Sequence, residues 1–334
     1  MQALLYQHPK KLSLIKCPVP EPGPEEVLIK IAYCGICGTD LHIISDEAPA
    51  AKEVIPGHEF SGYIKRVGAE VSTLTANDPV AVDPNIQCGH CVSCKTGKIH
   101  FCENLRPIGV FNDGGMAEYC LVKASHVHKL PPGVPLVWGA LTEPVSCIVH
   151  GWHRLFPLSD NPSILILGSG IIGILWGLLL RQKGLTNIKF SEPVAKRRKI
   201  CRKFEFDVTE PMQLKQNHSV NEMRFDVIID CSGNPKAIEM SFSLIKPLGK
   251  FLFFGMCPQE SLVSIPPFQI FKKELTLIGS LINPFSFPTA LEIIEQIQVA
   301  LNKLDIKYFD LKEYTEAFAT AKSGKYTKVI FKLL

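Results

Sequence analysis

The sequence has no apolar run of the length that crosses a membrane. The uncharged segment 164–180 falls short of the ~20 apolar residues that a spanning helix needs, and Gly168, Ser169 and Gly170 interrupt its middle. The first residues, MQALLYQHPKKLSLIKC, also lack a charged stretch followed by a long apolar one, so we expect no signal peptide. These absences favour a cytoplasmic protein without a membrane partner.

A strong charge of either sign is lacking as well. The chain has 36 basic and 32 acidic residues and a net charge of +4. Its densest basic run, KRRK at 196–199, is typical of a solvated helix face, so we expect no nucleic-acid partner. The 334 residues, 46% of them hydrophobic, predict a soluble enzyme of about two domains.

Internal repeats and low-complexity segments are also missing, and the first 130 residues consist of short alternating runs separated by Pro and Gly. Alternation of apolar and polar residues indicates strands that are buried on one face. We predict strands at 26–34, 60–68, 78–84 and 116–130. This part of the chain is therefore predicted to be a β-rich, barrel-like unit.

From about residue 145 short apolar strands alternate with helical patterns. Strands are expected at 162–170, 187–193, 225–233 and 250–257, and helices at 171–184, 194–204 and 235–249. Such alternation is typical of a doubly wound parallel sheet with an α/β fold. Two amphipathic helices, 287–301 and 313–324, and a closing strand, 328–334, complete the prediction.

A glycine-rich turn joins the first strand and helix of the α/β part. Gly168, Gly170 and Gly173 fit the dinucleotide-binding pattern G-x-G-x-x-G, with Ile171 and Ile172 opening the helix. Free N–H groups at such a helix N-terminus favour a pyrophosphate. A glycine-rich turn without a ligand is the alternative reading.

An acidic residue follows this turn at the spacing expected for the ribose-binding position. Glu192 lies nineteen residues after Gly173, close to the usual ~20. A carboxylate there accepts hydrogen bonds from ribose hydroxyls and repels a 2′-phosphate, which favours NAD over NADP. Arg197 complicates this argument, because an arginine beside the adenine is able to neutralise a phosphate.

Four of the twelve cysteines lie in one short segment, QCGHCVSCKTGKIHFC. Disulfides, a metal site and coincidence are the three explanations. A reducing compartment opposes disulfides, and a chain of this length needs no covalent staples. The spacing C-x2-C-x2-C-x7-C predicts a closed, structural zinc site with four thiolates as its ligands: Cys88, Cys91, Cys94 and Cys102.

A second group of metal-binding residue types is dispersed along the chain. Cys37 and His58 are suitable zinc ligands, and Glu59 or Glu143 could supply a third. Three protein ligands leave one position open for catalysis. Spacing alone does not bring these residues together, and a histidine or glutamate beside a glycine is often only a satisfied turn residue.

The ordered motifs GICGTDLH, PGHE, the four-cysteine segment, DGGMAEY, EPVSC and GSGIIG resemble those of the zinc-containing medium-chain alcohol dehydrogenases. The resemblance covers nearly the whole chain and looks closest to the polyol branch of sorbitol, arabinitol and threonine dehydrogenases. It implies a GroES-like catalytic domain formed by residues 1–144 and 284–334. It also implies a Rossmann domain that binds NAD, formed by residues 145–283.

The resemblance also implies roles for individual residues. Catalytic zinc is expected at Cys37, His58 and Glu59, with Glu143 near or exchanging into the coordination sphere. Thr39 and His42 match the family's proton-relay positions, and Asp40 matches a carboxylate that orients the zinc-binding histidine. Cofactor contacts are expected from the following residues: Gly168, Gly170, Ile171, Ile172, Gly173, Glu192, Arg197, Gly255 and Asn283.

One departure from the family pattern bears on the substrate. Sorbitol dehydrogenases carry an Arg-Tyr pair where Ile282 and Asn283 stand, so sorbitol itself is a doubtful substrate. We expect an NAD- and zinc-dependent oxidoreductase of a five-carbon polyol such as arabinitol, ribitol or xylitol, which it converts to the ketose. The alternatives are a polyol phosphate, an L-threonine 3-dehydrogenase-like activity and, more remotely, a non-catalytic NAD-binding protein. The family resemblance also suggests a homodimer or homotetramer.

Overall fold

A computed structural model describes residues 1–214, 216 and 223–334 of the chain. Its strands are β1 Gln2–Gln7, β2 Lys11–Lys16, β3 Glu26–Gly35, β4 Glu53–Val54, β5 Glu59–Val67, β6 Pro79–Val82, β7 Tyr119–Lys123, β8 Val127–Lys129, β9 Ile164–Leu167, β10 Ile188–Ser191, β11 Asp207–Thr209, β12 Phe225–Asp230, β13 Ile245–Phe253, β14 Thr276–Gly279, β15 Ile306–Phe309 and β16 Lys328–Lys332.

The helices whose bounds are described are α1 Gly38–Ile44, α2 Val92–Lys95, α3 Leu136–Gly139, α4 Thr142–Arg154, α5 Ile171–Gln182, α6 Ala195–Lys203, α7 Pro235–Ser241, α8 Pro267–Lys273, α9 Phe287–Leu301 and α10 Tyr314–Ser323. Short 3-10 turns occupy Ile99–Phe101, Ala124–His126, Phe242–Leu244 and Leu311–Glu313. The chain forms two compact units. The first unit comprises Met1–Ser146, Asn283–Gln298 and Asp305–Leu334, and the second comprises Cys147–Ile282 and Val299–Leu304.

The first unit is built on a seven-stranded sheet with the order β15-β16-β3-β5-β6-β8, in which β7 also pairs with β3. All of its pairs are antiparallel except β15 with β16. The long strand β3 packs Val27, Ile29 and Ile31 into the core. These β-branched residues suit a pleated, buried surface. A smaller sheet, β2-β1-β4, completes this unit.

The second unit is a six-stranded sheet with the order β11-β10-β9-β12-β13-β14. Every pair in it is parallel. The first strand in sequence, β9, lies in the middle, and the strand order reverses between β9 and β12, which is the topological switch of a doubly wound fold. All four residues of β9 are buried, because helices cover both faces of such a sheet. The predicted fold class is confirmed.

Two of the predicted elements have different bounds in the structure. The helix predicted at 235–249 ends at Ser241, and strand β13 already begins at Ile245. Pro247 lacks the N–H that a helix needs, and Leu248 has a left-handed φ of 61°, so the helical prediction was too long. The strand predicted at 116–130 is two strands, β7 and β8, separated by a 3-10 turn.

The apolar segment 164–180 is divided between a strand and a helix. Strand β9 contains its first four residues, and helix α5 is 12 residues long. Within residues 1–214, 216 and 223–334, no helix combines the length and the apolar character that a bilayer span requires.

Candidate functional site

Cys37 stands at the N-terminal end of helix α1 in the first unit. Its backbone N–H donates to Asp40 Oδ2 at 2.8 Å, which closes the first helical turn. Asp40 is completely buried. This capping arrangement satisfies one of the N–H groups that a helix start leaves free. This hydrogen bond fixes the backbone of Cys37 and so helps to position its thiol.

His58 and Glu59 stand at the start of strand β5, next to Cys37. One donor atom from each of Cys37, His58 and Glu59 lies within 4.8 Å of the other two. His58 is 7% exposed and Glu59 is 1% exposed. Glu143, in the first turn of α4, is also buried, but it does not belong to this group of mutually close donor atoms. The structure therefore brings together three of the four residues expected at a catalytic zinc.

The field around His58 is negative. Its Nδ1 lies 3.5 Å from Asp40 Oδ1, too far for a good hydrogen bond. Burial opposes a charged imidazole, but the Asp40 carboxylate and the Cys37 thiol outweigh burial and raise the pKa of His58 well above 6.5. His58 Nδ1 and Asp40 Oδ1 are both buried without a hydrogen-bond partner among the described residues.

This donor set is one that a zinc ion would satisfy. A thiolate, an imidazole and a carboxylate are the usual ligands of zinc in proteins. A cation there would compensate Cys37 and Glu59 and the negative field on His58. The residues present therefore fit a zinc ion with one coordination position left for another ligand.

Lys328, the first residue of β16, forms a buried ion pair with Glu59. Its side chain is 4% exposed. Burial opposes the ammonium charge, but Glu59 and Cys37 outweigh burial and raise the pKa of Lys328 above 10.5. Gly35 makes space for this pair, since a Cβ there would lie 2.4 Å from Glu59 Oε2 and 2.9 Å from Lys328 Cε.

The two expected relay residues lie on helix α1 with Cys37 at its start. Thr39 Oγ1 is 3.7 Å from Cys37 Sγ, so the hydroxyl is next to the proposed metal ligand. His42 is partly exposed, and its Nδ1 lies 2.7 Å from Glu47 Oε2. Glu47 and Lys328 were not predicted as site residues, because neither belongs to a recognised motif.

The four clustered cysteines converge on one point. Their sulfur atoms all lie within 4.8 Å of one another, and Cys88 Sγ is 4.0 Å from Cys94 Sγ. Backbone N–H groups point at the sulfurs: Cys88 N–H donates to Cys102 Sγ at 3.3 Å, and Cys91 N–H donates to Cys88 Sγ at 3.4 Å. None of the twelve cysteines forms a disulfide.

The pKa values of two of these thiols are shifted in opposite directions. Hydrogen bonds from the backbone of His90 and Cys91 lower the pKa of Cys88 to about 6. Desolvation, followed by the neighbouring Cys91, raises the pKa of Cys94 to about 12. Four sulfurs cannot all ionise this close together without a positive charge among them. A tetrahedral divalent ion supplies that charge, so the tetrad fits zinc.

Asn283 belongs to a buried polar network in the first unit. Its Nδ2 donates to Ser146 Oγ at 2.8 Å and to Asp83 Oδ1 at 3.2 Å, and its Oδ1 accepts from Asn85 at 2.6 Å. Both amide hydrogens are therefore used inside the protein. The side chain thus connects residues 83–85, 146 and 283. The family resemblance implies instead that it contacts the cofactor.

The glycine-rich turn of the second unit has the geometry of a phosphate-binding loop. Gly168 has a φ of +93°, which a residue with a side chain rarely adopts. A Cβ at Gly173 would lie 2.1 Å from Gly168 O, so the helix packs closely on the turn. A Cβ at Gly170 would meet nothing within 4 Å, which leaves room for a ligand beside the backbone. The start of α5, with Ile171 and Ile172, faces the same turn.

Glu192, directly after β10, is buried against this turn. Its Oε2 accepts from Ser169 N–H at 2.8 Å and its Oε1 from Val194 N–H at 2.8 Å. The carboxylate therefore fixes the glycine loop as well as standing at the expected ribose position. Arg197 lies on α6, and Gly255 follows β13, where its N–H donates to Asp230 O at 2.7 Å.

Comparison with known proteins identifies the family to which this architecture belongs. Residues 23–132 match the alcohol dehydrogenase GroES-like domain, and residues 172–296 match the zinc-binding dehydrogenase domain. The chain is 31% identical over 302 residues to D-altritol 5-dehydrogenase of Agrobacterium fabrum, with 88% of each chain covered. It is 30% identical to D-arabinitol dehydrogenase 1 of Uromyces fabae, with 99% of this chain and 97% of the relative covered.

Relatives with other substrates are equally similar. L-threonine 3-dehydrogenase of Pyrococcus abyssi is 34% identical, with 96% of this chain and 94% of the relative covered. D-arabitol-phosphate dehydrogenase of Enterococcus avium is 30% identical, with 96% and 93% covered.

Solved structures agree with these sequence matches. A Sinorhizobium meliloti 1021 protein assigned as a zinc-binding dehydrogenase, in a structure bound to NADP, has a TM-score of 0.92 and 31% identity, with 99% of this chain and 98% of that chain covered. An alcohol dehydrogenase from Escherichia coli CFT073, complexed with NADH, has a TM-score of 0.90 and 26% identity, with 99% of each chain covered. The chain belongs to the zinc-containing medium-chain alcohol dehydrogenases. Within that family its relatives include the polyol dehydrogenases of the branch that the sequence resembles.

Proposed function

We propose that the chain oxidises a secondary hydroxyl of a polyol to the ketone, with NAD as hydride acceptor and one catalytic and one structural zinc per chain. The first unit is the catalytic domain, and the second unit is the cofactor-binding domain. A reducing, cytoplasmic location suits a chain whose twelve cysteines form no disulfide. The assembly that we expect is a homodimer or homotetramer.

The observation that carries this proposal is the buried group formed by Cys37, His58 and Glu59. A structural zinc site is closed by four protein ligands, whereas three ligands of mixed type leave a position for substrate. The four-cysteine cluster, in contrast, has the closed donor set. In our proposal Glu143 is a fourth residue of this site, adjacent to the three ligands.

The chain's own residues would prepare the substrate and remove its proton. A bound zinc ion would supply Lewis acidity toward a hydroxyl oxygen. Asp40, 3.5 Å from His58, orients the imidazole ligand. Thr39 accepts the hydroxyl proton on its way to His42, which faces solvent. Bound NAD would accept the hydride, and the glycine turn and Glu192 would hold the dinucleotide.

The proposed substrate class is a five-carbon polyol. The relative named for D-altritol, a six-carbon polyol, supports the polyol class. The relative named for D-arabinitol and the replacement of the sorbitol-type Arg-Tyr pair by Ile282 and Asn283 support a five-carbon polyol. Because the Asn283 side chain is engaged inside the first unit, it does not substitute for that pair. L-threonine is the second candidate, favoured by relatives that are 34% identical, and a polyol phosphate is the third.

The test is a substrate panel with the zinc-loaded protein and NAD. We would measure kcat/KM for arabinitol, ribitol, xylitol, sorbitol, arabinitol phosphate, threonine and ethanol in one buffer. The proposal predicts that a five-carbon polyol is oxidised most efficiently and that ethanol is poor. A site that hydrogen-bonds additional hydroxyls can reject an analogue without them by up to ~10⁴. Threonine or ethanol ahead of every polyol would overturn the assignment.

A further inference from the structure

The contact between His42 and Glu47 is built into the end of helix α1. The helix ends with Ser45 as its C-terminal cap, followed by Asp46 in a left-handed conformation with a φ of 64°. Asp46 N–H donates to Ile43 O at 3.0 Å, and Glu47 N–H donates to His42 O at 2.8 Å. These two bonds define a Schellman motif. The backbone of Glu47 is therefore tied to the backbone of His42.

The side chains of the same two residues meet as well. Glu47 Oε2 lies 2.7 Å from His42 Nδ1, which is the distance of a charge-assisted hydrogen bond. The Glu47 side chain is 60% exposed and that of His42 is 28% exposed. The carboxylate therefore reaches the imidazole from the solvent side. A hydrogen bond at Nδ1 decides which ring nitrogen carries the proton in the neutral imidazole.

We propose that Glu47 is the positioning residue of the proton relay, holding His42 with its Nδ1–H toward solvent and its Nε2 free to accept the substrate proton. The inference rests on the proposed function, because it assigns Glu47 a role in that reaction. In the neutral ring only one nitrogen is an acceptor. With Nδ1–H donated to Glu47, that acceptor is Nε2.

The proton balance of the relay is simple. Oxidation breaks one C–H bond, whose two electrons leave as hydride to NAD, and one O–H bond, whose proton enters the relay. Nε2 takes up this proton, and the resulting imidazolium is stabilised by the Glu47 carboxylate until Nε2 releases one proton to water. Glu47 takes up no proton in these steps; it orients the ring and compensates the transient charge.

The neighbouring carboxylate provides a matched control. Asp46 is exposed on the same turn but pairs with His8, with 3.1 Å between His8 Nδ1 and Asp46 Oδ1. Asp46→Asn keeps a residue that tolerates the left-handed conformation and removes one negative charge close to His42. Glu47→Gln removes the same charge and keeps the length of the side chain. A difference between the two variants therefore reports the specific contact rather than the local charge.

The first measurement does not depend on catalysis. In the zinc-loaded protein labelled with ¹⁵N-histidine, the ring nitrogen shifts of the neutral His42 imidazole report its tautomer. We expect the Nδ1–H form in the wild type and in Asp46→Asn, and a mixture of forms in Glu47→Ala. An Nε2–H form in the wild type would overturn the inference even if the enzyme proves to be a polyol dehydrogenase.

The second measurement compares kinetics in light and heavy water. Replacing a charge-assisted hydrogen bond by a neutral one should lower kcat of Glu47→Gln by about threefold to tenfold. The KM for NAD should be unchanged, and the solvent isotope effect on kcat should increase. In a His42→Asn background Glu47→Gln should have no further effect, because the two residues act as a unit. Identical kinetics of Glu47→Gln and Asp46→Asn would overturn the inference. Loss of activity in His42→Asn concerns the proton relay only, so it would not contradict the proposed polyol oxidation.

Discussion

Lys328 and Glu59 form an ion pair that is almost completely removed from solvent, although their strands, β16 and β5, are far apart in the chain. Glu59 supplies one of the three donor atoms of the proposed catalytic site, and Lys328 is the buried cation that contacts its carboxylate. The desolvation of such a pair is costly, so it is weak support for stability by itself. Its effect is to fix the position and the charge of a proposed metal ligand.

Removing Lys328 should therefore destabilise the first unit and weaken metal binding. Lys328→Met leaves the Glu59 carboxylate buried without its cation, a loss that costs about 3–5 kcal/mol for buried pairs. We expect a lower free energy of unfolding in urea and less than two zinc ions per chain. Lys332→Met, at the exposed end of the same strand, is the control. Equal stability of the two variants would contradict a structural role for the pair.

Loss of one thiolate should empty the four-cysteine site. Cys94→Ser removes one of four sulfurs that lie within 4.8 Å of one another. We expect zinc content to fall by one ion per chain, as measured by mass spectrometry, and the melting temperature or the solubility to fall with it. Cys17→Ser, outside the cluster, should change neither quantity. Unchanged zinc content in Cys94→Ser would show that the tetrad is not a zinc site.

The catalytic ligands should be separable from cofactor binding. Cys37→Ser or His58→Ala should abolish polyol oxidation, because each removes a donor from the open zinc site. NADH binding, followed by fluorescence, should persist, since Gly168 and Gly173 belong to the other unit. His153→Ala, an exposed histidine, should remain active. Substantial turnover by protein stripped of metal would exclude the mechanism.

Glu192 should make NAD the preferred cofactor. A clash between its carboxylate and a 2′-phosphate worth ~1.5–3 kcal/mol corresponds to about 10- to 100-fold in kcat/KM. Glu192→Gln should reduce this ratio, and it should also weaken NAD binding, because the carboxylate holds the Ser169 N–H. Glu205→Gln, which is exposed, should leave the ratio unchanged. Equal efficiency of the wild type with both cofactors would refute the prediction.

Acid stability should depend on Asp226 in the second unit. Burial raises its pKa, but hydrogen bonds from Lys246 and Ser163 outweigh burial and hold the pKa below 3.8. A carboxylate whose pKa is lower in the folded state stabilises the fold above pH ~3.8 and loses that contribution as the pH falls through the folded value. Melting temperatures between pH 2 and 6 should therefore fall less steeply for Asp226→Asn than for the wild type or Asp160→Asn. The side chains are about one-third exposed, so the effect is modest.

Local patterns were sufficient to predict much of this fold. Residues adjacent in sequence predict the strand, glycine turn and helix at 164–182. The spacing of the four cysteines likewise predicts that they form one cluster. The alternation of strands and helices predicted a doubly wound sheet, which the structure confirms. The error at 235–249 came from extending an apolar helical pattern through Pro247, where the chain has already entered a strand.

Long-range contacts were beyond such patterns. Nothing in the neighbourhood of Lys328 indicates that it meets Glu59, and nothing near Asn283 indicates that it bonds Asp83 and Asn85. Helix α1 was not predicted, so the turn that places Glu47 on His42 could not be recognised. The family resemblance proposed Cys37, His58 and Glu59 as ligands, but only the folded chain shows that their donor atoms are close.

The absence of a side chain at Gly35 has a consequence for how this site can change. Gly35 has no side chain to offer a metal or a substrate, yet a single methyl group there would occupy the space of the Glu59 carboxylate and the end of the Lys328 side chain. A side chain at Gly35 would therefore require a different residue or conformation at Glu59 or Lys328. The position of a proposed metal ligand therefore depends on a glycine that has no reactive group of its own.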